Sequence, residues 1–175
     1  MPSNLLGFAL GAVLETREDE AYDVLLDIYA NGSPRDKGVA LGALTGVQSE
    51  DRVAQMLEWS LDDAGPITGR DSAGIVYSFM QRDELEDMAW SWLKMNFDDY
   101  VQKRVPDVRR ASMPAFASGF CSKELRDDAE SFFKSKANLI PGYERRLAQT
   151  LETIELCTAL KDAKIVELSD ALKDR

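Results

Sequence analysis

The chain has 175 residues and carries 31 acidic against 21 basic side chains, which gives a formal net charge of −10. Nucleic-acid binding depends mainly on clustered Lys and Arg, whereas the basic clusters here are short pairs in acidic surroundings, so a nucleic-acid partner is not expected. The sequence contains no histidine, and histidine is the usual ligand of catalytic zinc and the usual general base near neutral pH. A His-based zinc site and a Ser-His triad are therefore excluded for this chain alone.

The first apolar stretch runs from residue 5 to residue 14. It is about half as long as the roughly 20 residues that span a bilayer. No basic residue precedes Arg17, so the stretch also lacks the pattern of a signal peptide. We expect it to be the first packed helix, and no other segment of the sequence predicts a membrane span.

Helical periodicity continues from residue 17 to residue 66. Residues 17–29 carry apolar side chains at helical spacing. Ser33-Pro34 predicts the start of the next helix, because serine caps a helix and proline is favoured at its first position. Another helix is predicted to begin near Ser49 and to end at Gly65-Pro66, where proline cannot continue it.

The second half of the sequence shows the same periodicity. It predicts a helix over 71–81 and a long apolar stripe over 85–93, and Pro106 and Pro114 bracket a shorter or kinked segment. A further stripe covers residues 125–133 and ends at the turn Pro141-Gly142. The longest helical run opens at Tyr143, and a last helix is predicted to close at residues 171–172.

These segments predict an all-α fold, since alternating runs of β-branched residues are nearly absent. The helices recur at roughly 16 to 20 residues, which is typical of HEAT-like and armadillo-like helix pairs. We therefore predict an irregular α-α superhelix within a single helical domain spanning residues 1–175. A helix bundle is the alternative arrangement.

The two cysteines, Cys121 and Cys157, stand 36 positions apart and match neither a disulfide framework nor a metal-ligand spacing. We expect them to be small buried apolar residues, and a disulfide between them stays open, as does the compartment. The carboxylate clusters fall on polar helix faces or at helix starts, where solvation and the helix dipole account for them. No constellation predicts catalysis, so a standalone enzyme that uses carboxylates is disfavoured.

The richest local feature is the aromatic group from Trp90 to Tyr100. Trp92 falls on the apolar stripe and is predicted to be core. Trp90 lies off this stripe and would face a neighbouring helix, a partner domain or solvent. We therefore treat Trp90 as a candidate domain-interface residue.

Three stretches occur in an order and spacing typical of one family: AWSWLKMNFDDYVQK (89–103), FCSKELRDDAESFF (120–133) and ERRLAQTLETIELCTAL (144–160). They are similar to the Trp-x-Phe-Leu-x-x-Asn-Trp, Phe-Ser-Thr…Phe-Phe and Arg-x-x-x-Gln-x-x-Glu-x-Ile-x-x-Asn segments of that family. It is the C-terminal helical domain of the gluzincin-type zinc aminopeptidases, the aminopeptidase N and endoplasmic-reticulum aminopeptidase group. The stretch 53–71 resembles the preceding helix and loop. Phe97 and Cys157 depart from the pattern, which often has Trp and Asn there.

The resemblance covers about residues 48–160 and implies a part of a larger enzyme. In this family the zinc ligands belong to an upstream catalytic domain, and the helical domain closes over that domain and limits peptide access. We expect Met1 to be an added or internal start and the chain to be a domain excised from a longer zinc aminopeptidase. No zinc or other cofactor is expected in the chain itself.

The resemblance also implies candidate substrate contacts. In some members a basic residue of the third helix turns toward the far end of the peptide. Arg145 matches that position and Arg146 is its neighbour, and a guanidinium binds a carboxylate bidentately. The alternative is a surface interaction of Arg145 with Gln149 and Glu152. For the whole chain, the alternative function is an autonomous helical-repeat scaffold that binds its own protein partner.

Overall fold

The structure is a computed structural model; it describes the backbone of residues 3–67 and 70–173 and the side chains of residues 7–67, 71–72 and 74–165. All regular elements in these ranges are helical, which confirms the all-α class. They are α1 (Ser3–Thr16), α2 (Glu18–Asn31), α3 (Pro34–Leu44), α4 (Glu50–Trp59), α5 (Arg70–Phe79), α6 (Glu86–Arg104), α7 (Asp107–Arg110), a 3₁₀ helix (Met113–Gly119), α8 (Lys123–Ser135) and α9 (Glu144–Lys173).

The chain divides into two compact units, Met1–Phe79 (unit 1) and Met80–Arg175 (unit 2). In unit 1, α1 packs on α2 and α3, and α4 packs on α5. In unit 2, α9 packs on the 3₁₀ helix and on α8. The pairing of these helices into HEAT-like repeats, and the extent of the domain, stay predictions.

Local sequence signals set several of the observed boundaries. The Ser33 hydroxyl accepts a hydrogen bond of 3.3 Å from the backbone N–H of Asp36, and Pro34 is the first residue of α3, as predicted. The turn before α9 uses Gly142 with φ 79°, a conformation that glycine adopts without steric cost. The segment around Pro106 and Pro114 is short, as predicted, and consists of α7 and the 3₁₀ helix.

In unit 1 a half-buried glutamate links the start of α2 to the start of α4. Glu18, the first residue of α2, accepts hydrogen bonds from the backbone N–H groups of Gln48 (2.8 Å) and Ser49 (3.3 Å). It also pairs with Arg52 at 3.0 Å, and the Arg52 guanidinium lies 4.6 Å from the ring centroid of Tyr22. Burial raises the pKa of Glu18, but the three hydrogen bonds outweigh it and hold that pKa below its usual range. The carboxylate therefore caps α4, whose own N-cap serine makes no side-chain bond.

Unit 2 is built around aromatic side chains from α6 and α8. Phe97 and Phe133 lie 6.1 Å apart between ring centroids, in a T-shaped arrangement, and both are buried. The 3₁₀ helix ends at Gly119, where an added Cβ would lie 2.9 Å from the backbone oxygen of Met80. Only glycine fits this close approach, so the residue holds the 3₁₀ helix against the start of unit 2.

The two cysteines form a disulfide, with an S–S distance of 2.02 Å and Cα atoms 5.2 Å apart. The expectation that Cys121 and Cys157 are small buried apolar residues is therefore wrong, and both side chains are only half-buried. The reason is tertiary: Cys121 directly precedes Ser122, the N-cap of α8, and α8 packs on α9, which carries Cys157. A spacing of 36 residues does not reveal this contact.

The final helix changes character along its length. Its first half buries Leu147, Leu151 and Ile154, whereas residues 159–165 are all exposed. The run predicted from Tyr143 and the last predicted helix are one helix of 30 residues. In the ranges that the structure describes, no helix combines the length and the apolar character needed to cross a bilayer.

Candidate functional site

Trp90 is on α6, packs against α8 and has 2% of its surface exposed. Its ring makes T-shaped contacts with Phe120 and Phe132, at centroid distances of 5.4 and 4.9 Å. The indole N–H donates a 2.6 Å hydrogen bond to the carboxylate of Asp128 on α8. Of the three environments open to Trp90 from the sequence, the structure shows the neighbouring helix. Its role at a domain interface stays a prediction.

Asp128 is the acidic partner of Trp90, and it also pairs with Lys94. The Lys94 ammonium donates a 2.7 Å hydrogen bond to the same carboxylate oxygen and lies 5.3 Å from the Trp90 ring centroid. Burial alone would raise the pKa of Asp128, but the hydrogen bonds from Lys94 and Trp90 outweigh burial and lower it. The carboxylate is thus ionised near neutral pH and fixes the indole orientation.

Arg145 and Arg146 stand in the first turn of α9 and both are exposed. Within the described residues, neither guanidinium forms a hydrogen bond or an ion pair, so the interaction of Arg145 with Gln149 and Glu152 is not formed. Two cations at the positive end of a helix are electrostatically unfavourable, and Glu144 in the same turn offsets only part of their charge. The structure does not join these arginines to Trp90, whose partners lie on α8 and just before it.

The donor set of the chain does not fit a zinc site. The sequence has no histidine, and the thiols of Cys121 and Cys157 are joined to each other. Among the described side chains, no three metal-ligating groups lie together. Zinc requires a set of three or four such ligands, so no step of any reaction is assigned to zinc in this chain.

A cavity of about 360 Å³ lies between the start of α8 and the middle of α9. Its central side chain is Arg126, which pairs with Glu130 at 2.6 Å and with Glu155 at 2.8 Å. The pair with Glu155 joins α8 to α9 beside the disulfide, whereas the pair with Glu130 lies within α8. The charges of Arg126 and Glu155 therefore neutralise each other within unit 2, and the cavity does not indicate a particular ligand.

Comparison with known proteins connects this geometry to a family. Residues 1–156 match the ERAP1-like C-terminal domain. The chain belongs to this family. The match includes the first 47 residues, for which the sequence had indicated only helical structure, and it ends within α9, close to the point where the buried face of that helix ends.

Two curated relatives are aminopeptidases of rice. Aminopeptidase M1-B of Oryza sativa subsp. japonica is 28% identical over 151 residues, which are 85% of this chain and 16% of that protein. Aminopeptidase M1-C of the same organism is 29% identical over 139 residues, which are 76% of this chain and 15% of that protein. The chain thus spans about one sixth of the length of these relatives. The predicted relationship to the C-terminal domain of M1 aminopeptidases is confirmed.

Sequence reasoning missed the two carboxylates that organise the units. Glu18 and Asp128 belong to acidic runs that predict a solvated helix face. In the structure they accept hydrogen bonds from partners 30 or more positions away. The available signal was weak, because the neighbouring carboxylates in each run are more exposed: the side chain of Asp19 is 98% exposed and that of Asp127 is 55% exposed.

Proposed function

We propose that this chain is the non-catalytic C-terminal domain of a zinc aminopeptidase, and that it packs on the catalytic domain and shapes the chamber that admits peptides. The observation that carries this proposal is the family match over residues 1–156 together with the small share, about one sixth, of each aminopeptidase that the chain covers. A domain of this size leaves room in such a protein for a catalytic domain. In this proposal, zinc is bound by the catalytic domain.

Arg145 and Arg146 are proposed to contact the peptide at the end far from the scissile bond. Their exposure and their lack of described partners support this role. The helix dipole adds to the positive potential of the first turn of α9. A free peptide carboxylate would relieve that unfavourable charge and would accept two parallel hydrogen bonds from one guanidinium.

Trp90 is proposed to support the interface with the catalytic domain. Because its ring is almost fully buried, it would act by holding α6 against α8 and not through a large contact of its own. Met95, on the same helix and 78% exposed, offers apolar surface for direct contact. A catalytic domain would cover this surface.

The first test is the sequence encoded upstream of Met1 in the natural gene. The proposal expects a few hundred further residues that include HExxH and a downstream glutamate ligand. An open reading frame that begins at Met1 would exclude this function. It would leave an autonomous helical-repeat scaffold as the alternative.

The arginine role is tested in the full-length enzyme with peptides of graded length. Arg145→Ala and Arg146→Ala should raise KM for peptides long enough to reach α9, with kcat nearly unchanged, because a binding contact is lost. Arg109→Ala is the matched control, since Arg109 is also exposed. Unchanged KM and unchanged length dependence in both α9 variants would refute the substrate contact.

One observation favours a protein-binding surface for the alternative function. Leu156, Leu160 and Ile165 on α9 are 65, 62 and 54% exposed. Leu156 and Leu160 lie one turn apart on the same face of α9, and contiguous exposed apolar side chains are typical of a surface that a protein covers. The test is whether the chain binds the separately expressed catalytic domain. If it does, and if the double variant Leu156→Ser with Leu160→Ser binds more weakly, this surface belongs to the enzyme and not to an independent partner.

A further inference from the structure

The turn between α2 and α3 carries the sequence Asn31-Gly32-Ser33. Asn-x-Ser or Asn-x-Thr, with x other than proline, is the acceptor sequence for N-linked glycans. Asn31 is the only one of the four asparagines in the chain with a serine or threonine two positions later. It is the last residue of α2, and both Asn31 and Ser33 are exposed. The acceptor amide is therefore at the surface of the folded unit.

The disulfide supplies an independent reason to consider this modification. Structural disulfides form and persist in oxidising compartments such as the lumen of the secretory pathway and the cell exterior. N-linked glycans are attached to proteins that enter the same route. Cys121–Cys157 lies in unit 2, and the acceptor sequence lies in unit 1. The two features are thus separate observations that indicate one cellular environment.

The surface beside Asn31 has room for a sugar. A cavity of about 370 Å³ adjoins it, lined by Leu10, Asp27, Ile28, Asn31, Gly32 and Asp36. Leu10 and Ile28 offer apolar surface to the C–H face of a sugar ring, and the two carboxylates can accept hydrogen bonds from its hydroxyls. Asn31 Nδ2 donates a 2.8 Å hydrogen bond to Asp27 in the unmodified chain. Substitution at this nitrogen leaves one N–H for the same bond.

We propose that Asn31 is an N-glycosylation site and that its first sugar lies in this cavity. The donor is an oligosaccharide linked through pyrophosphate to a lipid. The Asn31 amide nitrogen forms a bond to C1 of the first sugar, the bond between C1 and the phosphate oxygen breaks, the lipid pyrophosphate leaves, and the nitrogen loses one proton.

Residues of the acceptor sequence also have structural roles, so the test must separate loss of the glycan from loss of local structure. Ser33 caps α3, and an added Cβ on Gly32 would lie 2.4 Å from the backbone oxygen of Ile28. The Ser33 hydroxyl also donates a 2.7 Å hydrogen bond to the Asp36 carboxylate, so a replacement must donate as well as accept. Asparagine is as good a helix cap as serine and has N–H groups to donate, but it does not complete the acceptor sequence. Ser33→Asn therefore keeps the cap and removes the glycan, whereas Ser33→Thr keeps both.

The natural protein, isolated from its own cells with its thiols trapped, is treated with a peptide N-glycoamidase and analysed by mass spectrometry. We expect a glycan on Asn31, released as the asparagine is converted to aspartate, on a chain whose cysteines are paired. Unmodified Asn31 overturns the proposal, whether the cysteines are paired or free.

The same chain, secreted from eukaryotic cells behind a leader sequence, gives the matched comparison. Wild type and Ser33→Thr should migrate more slowly and collapse to one position after glycoamidase treatment, and Asn31→Gln and Ser33→Asn should not shift. Pro34 restricts the backbone of Ser33 to an extended conformation, with ψ 158°. Because this restriction limits how the acceptor sequence can adapt to the transferring enzyme, we expect that only a fraction of the chains carries the glycan. Pro34→Ala should increase that fraction. A shift that persists in Asn31→Gln overturns the assignment to this residue.

Discussion

In unit 1 the helices are joined across their surfaces by polar side chains: Glu18 pairs with Arg52, and the Tyr29 hydroxyl donates a 2.8 Å hydrogen bond to Asp71 on α5. Unit 2 also has polar links between its helices, such as Arg126–Glu155, but it adds aromatic and covalent links, namely the Trp90–Phe132 contact and the Cys121–Cys157 bond. Polar links respond to pH, whereas aromatic packing responds to side-chain volume and a disulfide to reductant. The two units should therefore fail under different perturbations.

The largest difference should come from a cavity in unit 2. Phe133→Ala removes a fully buried ring, and we expect it to lower the free energy of unfolding by about 3–5 kcal/mol. Urea unfolding, with hydrogen exchange followed separately in peptides of each unit, measures the effect. Val108→Ala, at a side chain that is 91% exposed, is the control and should change stability by no more than about 0.5 kcal/mol. Equal loss of protection in both units would show that they unfold together.

Opening the disulfide should have the next largest effect. Reduction, or Cys121→Ser combined with Cys157→Ser, frees a loop with a sequence separation of 36 and should cost unit 2 about 2–4 kcal/mol. The double variant should not respond to added reductant in thermal unfolding, which controls for effects elsewhere. If reductant lowered protection in unit 1 by as much as in unit 2, the contrast between the units would be wrong.

A smaller loss is expected from the polar cap of unit 1. Glu18→Gln replaces the carboxylate that accepts from Gln48, Ser49 and Arg52, and we expect a cost of about 1–2 kcal/mol. The exposed Glu20→Gln, 68% exposed in its side chain, should cost at most about 0.5 kcal/mol. Denaturant midpoints of the two variants make the comparison, and equal midpoints would contradict the capping role.

Acid should remove the same contribution. The folded-state pKa of Glu18 lies below its ordinary value of 4.5, so its stabilisation is present above that pH and is lost as pH falls through the folded-state pKa. Hydrogen exchange of unit 1 as a function of pH should show this loss in the wild type and a flatter response in Glu18→Gln. Parallel responses of the two proteins would assign the acid sensitivity to other carboxylates.

The smallest effects are expected where the units are alike. Ser33 caps α3 at 3.3 Å and Ser122 caps α8 at 3.2 Å. Alanine at either position should cost about 1 kcal/mol, each in its own unit, and Ser33→Asn should retain the stability that alanine loses. Thermal unfolding of the three variants, made in bacteria so that no glycan is attached, isolates the cap energy. A much larger cost at one cap would reveal an additional role for that serine.

The features predicted correctly from the sequence are those determined by neighbouring residues. Ser33-Pro34 starts a helix because its cap bond closes within three residues, and Gly142 turns the chain because of its own backbone freedom. The family resemblance similarly rests on local helical motifs. The disulfide was missed because Cys121 meets Cys157 only after α8 packs on α9.

In the candidate site, too, features set by neighbouring residues were predictable and features set by the packing of distant helices were not. The first turn of α9 was predictable, so Arg145 and Arg146 could be placed at the surface of a helix start. The environment of Trp90 was not, because its hydrogen bond crosses from α6 to Asp128, 38 positions away. Helical periodicity specifies which face of a helix is apolar, but it does not specify which helix packs there.

The exposed second half of α9 affects how the helix melts. Short helices in water are marginal, since nucleation is costly and most helical stability comes from packing. Residues 159–165 lack such packing, so their helical order propagates from the turns anchored by Leu151 and Ile154. The backbone amides of this segment should exchange with solvent in a gradient, slowest near Cys157 and faster toward the C-terminus. Fraying from that end would therefore proceed without unfolding unit 2, and the helix length would vary with temperature and with whatever molecule covers its apolar side chains.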